Sequence, residues 1–326
     1  SEMCIRDRNV IVVLVDTLRA DRLKIYDPTT RVRTPSFTRL ARSSVVFERA
    51  MAPESWTKPS VASLLTGLYP DRHTVQRHES ALPRSIPSMS EVLREQGFTT
   101  AAFVGNGYIS SQYGFDRGWD TWQTFGGTKG ANGARQIVDS AIRWLDTRPN
   151  NGRFFAYVHT VDPHAPYGAP PRFRHSYVQR RYRHGVRPGA TALVVREHSA
   201  GRLALRRWDR ERLEDLYDGE VAYNDFHLGR LMDALERAGL ADDTLVVVTA
   251  DHGEEFLDHG RLGHGHSVFE ELVRVPLLIR LPGGEVSGRS AGEVGLVDVM
   301  PPACEVLGVD CPGAIDGRSL ADELAD

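Results

Sequence analysis

The chain has 326 residues, 41% of them hydrophobic and 25% charged, with a formal net charge of −3. This is the composition of a globular protein long enough for one large α/β domain. The near-neutral charge leaves no electrostatic footprint for nucleic acid, and no apolar run approaches the roughly 20 residues of a membrane helix.

The opening "SEMCIRDR" is polar and patternless, and residues 1–8 read as a tail ahead of a single folded unit, 9–326. It carries no apolar h-region, so no secretory signal is visible. The cytoplasm is the default compartment, with export open if the native N-terminus lies upstream. "NVIVVLVD" (9–16) is a continuous β-branched run ending in an acid, the pattern of a strand buried on both faces of a parallel sheet. "TPSFTRLARSSVVFERAMA" reads as a short helix and then a strand. In "ESWTKPSVASLLTG" (54–67), Pro59 and Ser60 read as a turn, followed by a helix that Gly67 ends. "SIPSMSEVLREQGFTTAAFVGN" reads as a capped helix, a stop at Gly97 and a second buried strand.

"ARQIVDSAIRWLDTR" has apolar residues at helical spacing, and "RFFAYVHTVDPHAPY" begins as a strand that breaks in a proline-rich loop. Residues 175–210 are Arg-rich and lack clean periodicity. They read as an excursion over the sheet rim, either shaping an anionic pocket or lying solvated. "RLEDLYDGEVAYNDFHLGRLMDALERAGL" is a long amphipathic helix closed by Gly239, and "DTLVVVTADHGEE" and "VRVPLLIRLPG" supply two more strands. Strands alternating with helices imply an α/β fold with a mostly parallel central sheet. The three cysteines form no C-x-x-C pair. Cys304 and Cys311 could bridge in an oxidising compartment, but the preferred reading is two small buried or half-buried thiols.

Several of these strands end in ligand-type residues: Asp16, Asn106, His159 to His164, and Asp251 with His252. Ligands of open α/β sheets sit at the carboxyl ends of the strands, so these ends point to one rim. The alternative for each acid alone is a strand-end turn or helix cap.

The blocks "VDTLRADRL", "TKPSVASLLTGLYP", "VDPHAPY", "VVVTADHGEE" and "GHGHSVFEELVRVPLLIRLPG", in that order, resemble the sulfatase family of the alkaline phosphatase superfamily. The resemblance runs from Asn9 to "DGRSL" (316–320), while the smaller C-terminal subdomain of longer relatives is short or absent. It implies a three-layer α/β/α sandwich. It places Asp16, Asp251 and His252 at the metal and Thr57 at the nucleophile, itself touching the metal. His164 would meet the leaving oxygen, and His264 would stand where sulfatases use lysine on the sulfate. Asn106 lies near a second oxyanion contact. Lys58 is a further substrate contact if it is not simply exposed. In "GHGH" the alignment picks His264, with His266 as the alternative on the substrate. His159 is expected to be structural, Asp162 to orient His164, and His73 to cap or pack.

Thr57 cannot become formylglycine, because that conversion starts from Cys or Ser. Val61 replaces the supporting arginine, Thr17 replaces a second aspartate, and His252 stands where many sulfatases have asparagine. These departures resemble the threonine-nucleophile branch of the superfamily, which includes phosphoethanolamine transferases and nucleotide pyrophosphatases. Two carboxylates, a hydroxyl and an imidazole suit one divalent metal, zinc or manganese before calcium or magnesium. The Asp-x-x-x-His spacing of a second site is missing after Asp162, where the fourth residue on is Pro166. The sequence thus implies a metal-dependent hydrolase of small anionic phosphate, phosphonate or sulfate esters. A group transferase or a silent binding protein on the same scaffold are the alternatives. Taken alone, Thr57 would read as a helix N-cap. The oligomeric state is not readable.

Overall fold

The computed structural model describes residues 8–126, 133–148, 152–177 and 186–325. Ten strands and ten α-helices alternate along them. In chain order they run β1 Asn9–Val15, α1 Pro35–Ala41, β2 Val45–Met51, α2 Thr57–Thr66, α3 Pro70–His73, α4 Met89–Glu95, β3 Thr99–Val104, β4 Thr121–Thr124, α5 Gly133–Thr147 and β5 Phe154–Thr160. The second half runs α6 Pro171–Arg174, α7 Thr191–Ser199, α8 Arg207–Arg237, β6 Thr244–Thr249, β7 Glu255–Phe256, β8 Leu262–Gly263, α9 Glu270–Val273, β9 Arg274–Arg280, β10 Gly288–Gly295 and α10 Met300–Leu307.

Eight strands form one sheet in the order β10-β2-β9-β6-β1-β5-β3-β4, and β7 pairs with β8 in a small hairpin. Within the eight-stranded sheet all pairings are parallel except those of β9, which runs antiparallel to β2 and β6. The expected mostly parallel α/β sheet is therefore present. The runs of Val, Ile and Leu in β1 and β6 and the aromatic-rich "FFAYV" of β5 explain why these strands are central: every residue of each is buried, which requires cover on both faces. One group of helices, α1, α5 and α6, gathers against α8; a second, α3, α4 and α10, gathers against α2. The edge strands β10 and β4 are largely exposed and carry polar residues, which blunts pairing with other chains.

Register places the ends of four neighbouring strands at one level. Leu14 of β1 sits beside both His159 of β5 and Thr249 of β6, and Val104 of β3 sits beside His159. The residues just beyond β6, β1, β5 and β3 therefore meet at one rim.

Three sequence expectations are corrected here. Cys304 and Cys311 form a disulfide with Cα atoms 5.7 Å apart, because the chain folds back directly after α10. Within the 175–210 excursion, α7 is a regular helix and α8 already starts at Arg207, while 178–185 lie outside the described residues, as do 1–7 of the tail. Pro59 and Ser60 belong to the first turn of α2, where proline is tolerated because no intrahelical partner awaits its missing N–H.

Helix α2 is buried along its whole length. His73 helps to seat it: His73 Nδ1 accepts from the Val75 N–H at 3.0 Å, so Nε2 carries the proton that it shares with Ser63 Oγ at 3.0 Å. This arrangement needs the neutral ring, and burial pushes the His73 pKa down to about 4. A folded pKa below the unfolded value of 6.5 means full stability above pH 6.5 and loss as the pH falls toward 4. We expect His73 to account for up to about 3 kcal/mol of acid destabilisation. Denaturant melts of wild type and His73→Gln at pH 7.5, 6 and 5 should show the variant less pH-sensitive over this window.

Candidate active site

Asp16 follows β1 and Asp251 follows β6, and both are fully buried with His252. Ligand atoms of these three residues lie within 4.8 Å of one another. His252 Nε2 is 3.4 Å from Asp251 Oδ2 and 3.8 Å from Asp16 Oδ1. Those two carboxylate oxygens are buried and have no hydrogen-bond partner. Burial opposes ionisation of Asp16, yet the hydrogen bond of His159 and the charges of His164, His159 and His252 hold its carboxyl well below the usual range. Burial, and then the charge of Asp16, push Asp251 well above that range. Two buried carboxylates this close ionise together only when a cation joins them. His252 Nδ1 lies 2.8 Å from the Gly253 carbonyl, which only accepts, so Nε2 is left with its lone pair toward the acids. Two orphaned carboxylate oxygens and one imidazole lone pair fit a divalent cation.

The rest of the cluster is held by other elements. Thr17, directly after Asp16, has a left-handed backbone (φ 59°), a costly state for a β-branched residue. In it the Thr17 N–H donates to Asp251 Oδ1 at 3.1 Å. Tyr217 of α8 clamps this turn, its hydroxyl donating to the Thr17 carbonyl at 2.7 Å and accepting from the Arg19 N–H at 2.9 Å. Gly253 has no room for a side chain, because a Cβ would collide with the Glu271 carbonyl oxygen.

Thr57 stands at the first residue of α2, and the N-cap position is taken by Trp56. Its hydroxyl does not cap. It lies 3.3 Å from His252 Nε2 and accepts from Asn106 Nδ2 at 3.2 Å; the same Asn106 amide donates to Asp16 Oδ2 at 2.6 Å. His264 donates through Nδ1 to Glu254 Oε1 at 2.8 Å, and its ring centre is 4.4 Å from that of His252 and 5.0 Å from that of His164. Burial draws the His264 pKa down, but the Glu254 carboxylate more than offsets it and the net shift is upward. His164 directs Nδ1 at the Ala165 carbonyl, 2.6 Å away, so Nε2 is the nitrogen that can act on a substrate. A cavity of about 880 Å³ opens over Thr57, Asn106, His164 and His264.

His159 is buried and contacts Asp16 Oδ2 (3.4 Å) and the Tyr157 hydroxyl (3.2 Å). Three expectations are corrected. Lys58 is buried, not exposed, and its ammonium donates to the His78 and Ser80 carbonyls at 2.5 and 2.7 Å. It does not line the cavity. His266 turns away to Glu255 Oε2, 2.8 Å distant, because the positive φ of Gly265 reverses the chain between the two histidines. Asp162 does not orient His164. It accepts from the Ala134 N–H and lies against Glu220, whose carboxyl burial and the charge of Asp162 push far up. The loop that carries His164 is instead tied to α8: Asn224 donates to the Asp162 carbonyl, and Glu220 accepts from the Gly168 and Ala169 N–H groups. Glu254, Tyr217 and Asn224 are site-forming residues that sequence reasoning missed. Of these only Glu254, inside "DHGEE", stood next to a motif.

The family model "Sulfatase" matches residues 8–309. The chain belongs to the sulfatase family. That places it in the alkaline phosphatase-like superfamily, as the ordered blocks implied. Among curated proteins it is 28% identical to the low-salt glycan biosynthesis sulfotransferase Agl7 of Haloferax volcanii, over 98% of this chain and 65% of that one. It is 25% identical to an ulvan-active sulfatase of Formosa agariphila, over 96% of this chain and 64% of that one. The chain thus spans just under two thirds of the length of these relatives. Its fold is similar to that of the phosphonate monoester hydrolase of Agrobacterium radiobacter, with a TM-score of 0.79 and 24% identity over 97% of this chain and 77% of that one.

The orphaned oxygens of the acidic pair generate a direct expectation. Asp251→Asn and His252→Ala should each bind at least about 10-fold less zinc or manganese than wild type, with the fold kept. Equilibrium dialysis with elemental analysis, alongside circular dichroism, checks this.

Proposed function

We propose that this sulfatase-family chain hydrolyses small anionic phosphate, phosphonate or sulfate esters through a covalent ester on Thr57. The observation that carries the reading is the Thr57 hydroxyl: it opens a buried helix yet leaves capping undone, and it contacts His252 and Asn106 beside the acidic pair. Asp16, Asp251 and His252 are the residues that would hold a divalent cation, with Thr57 beside them. When bound, such a cation lowers the pKa of an adjacent hydroxyl and draws off negative charge.

The chain's own groups supply the remaining steps. Thr57 Oγ1 gives up its proton to solvent and forms a bond to phosphorus or sulfur as the bond to the leaving oxygen breaks. His164 Nε2 gives that oxygen a proton. His264, whose cationic form the Glu254 carboxylate favours, and the Asn106 amide hold the non-bridging oxygens. The N-terminus of α2 adds its dipole in favour of the anion. Water then attacks the Thr57 ester, His164 takes its proton, and the bond to Thr57 Oγ1 breaks, that oxygen regaining a proton from solvent. A threonine ester cannot collapse to an aldehyde as a formylglycine hydrate does, so direct attack is its exit and no formylglycine is needed. An alcohol can replace water in that step. The relative named as a sulfotransferase favours this second reading, and added alcohol acceptors partition the two.

Thr57→Ala should lose nearly all turnover of p-nitrophenyl phosphate, phosphonate and sulfate esters, while Thr57→Ser keeps part of it. Acid quenching during turnover should trap the phosphoryl or sulfuryl group on the peptide carrying Thr57. A fully active Thr57→Ala enzyme, or label confined to another peptide, overturns the covalent step.

His164→Ala should slow alkyl esters about 10² to 10⁴-fold. It should slow p-nitrophenyl esters far less, because that leaving group departs without a proton. Equal losses on both substrate types reassign His164 to binding.

A further inference from the structure

One wall of the cavity is aromatic and belongs to neither the acidic cluster nor the histidines. Trp56 immediately precedes Thr57, so the turn that presents the hydroxyl also presents this ring. Its centre lies 5.0 Å from that of His78 and 5.8 Å from that of Tyr108. The Tyr108 hydroxyl meets His78 Nδ1 at 3.1 Å, which ties the 76–80 loop to the turn after β3. All three rings line the cavity, and Tyr108 remains 37% exposed, so part of its surface is open to a ligand. Gln76, Arg77, Glu79 and Gln112 complete this side with amide, guanidinium and carboxylate groups.

Behind the wall lies Lys58. Its ammonium sits 3.8 Å from the centre of the Tyr113 ring and 5.8 and 5.9 Å from those of Trp56 and Tyr108. A cage of aromatic rings is the usual receptor for a quaternary ammonium ligand. Here the chain's own ammonium occupies it, fixed by two loop carbonyls. A second full cation on the open side of these rings would meet rings already polarised by Lys58 and would be repelled by it and by Arg77, while Glu79, the carboxylate on this side, already answers the Lys58 charge. A neutral or anionic ring is favoured instead. A sugar face stacks on aromatic rings mainly through dispersion and apolar burial, which a cation behind the rings does not remove, and its hydroxyls match amide, guanidinium and carboxylate partners. A cavity of about 880 Å³ has room for such a ring with its ester group.

We infer that the Trp56–His78–Tyr108 wall is a stacking subsite for a sugar ring that carries the ester, and that Lys58 behind it excludes choline-type cationic leaving groups. This rests on the reading that Thr57 attacks an ester. The two are separable: p-nitrophenyl ester turnover by wild type reports the chemistry, and binding to Thr57→Ala protein reports the subsite. Calorimetry on that protein would compare three probes. These are a panel of hexose and hexosamine sulfates and phosphates, choline sulfate with phosphocholine, and inorganic sulfate with phosphate.

The best sugar esters should bind roughly 10-fold more tightly than the choline esters. Adding Trp56→Ala or Tyr108→Ala should weaken sugar esters roughly 3- to 10-fold and leave the inorganic anions unchanged. Adding Lys58→Met should raise choline ester affinity. If that variant does not fold, Tyr108→Ala carries the test, since Tyr108 is at the surface. Choline esters binding as tightly as every sugar ester, or wall variants that leave sugar ester affinity unchanged, overturn the subsite. Absent p-nitrophenyl turnover with wall-dependent sugar binding overturns the ester chemistry and leaves the subsite standing.

Discussion

Asp16 and Asp251 place two carboxylates in one fully buried space at the ends of adjacent parallel strands. Like charges in a low-dielectric interior repel strongly, so this pair must be restrained or neutralised wherever it occurs. The surrounding structure does the first. Thr17 and His252 N–H groups both donate to Asp251 Oδ1, and the Asn106 amide donates to Asp16 Oδ2. What these bonds leave over, one oxygen on each acid, faces His252. A strained Thr17 backbone is part of what the fold spends to keep the pair in place.

Helix α8 supplies much of the restraint, and it does so with polar residues on its buried side. Tyr217, Glu220, Asn224 and Asp225 recur at helical spacing, and all four are buried. Tyr217 holds the turn after β1, Glu220 and Asn224 hold the loop after β5, and Asp225 accepts from the Ser36 and Phe37 N–H groups at the start of α1. Each satisfies backbone groups that a loop or helix end leaves unpaired. An apolar residue at any of these positions would strand those groups. One helix thus fixes two of the strand ends that form the site.

Lys58 shows the same economy one residue from Thr57. A buried ammonium is costly unless its donors are used. Two carbonyls and the Tyr113 face use them, and in return the 76–80 loop is drawn over α2 to wall the cavity. The chemistry at Thr57 and the shape of the substrate space therefore share a single turn.

The sequence alone was enough for the six inner strands of the sheet and for the rim, while the edge strands β4 and β10, polar and largely exposed, carry no apolar run to be read. Continuous β-branched runs identify strands buried on both faces, and parallel strands carry their functional residues at their carboxyl ends, so Asp16, Asn106, His159 and Asp251 were legible as one cluster. The ordered blocks gave the family. Side-chain direction was not legible, because a loop residue's partner is set by chain segments far away in sequence. The reversal at Gly265 sends His266 to Glu255 and His264 to Glu254. Lys58 is hidden because the 76–80 loop folds over it, and Cys304 meets Cys311 because the chain turns back after α10. Tyr217 and Asn224 look like ordinary helix residues until the sheet brings the turn after β1 and the loop after β5 against α8. Those contacts span 200 and 62 residues, and only the folded chain creates them.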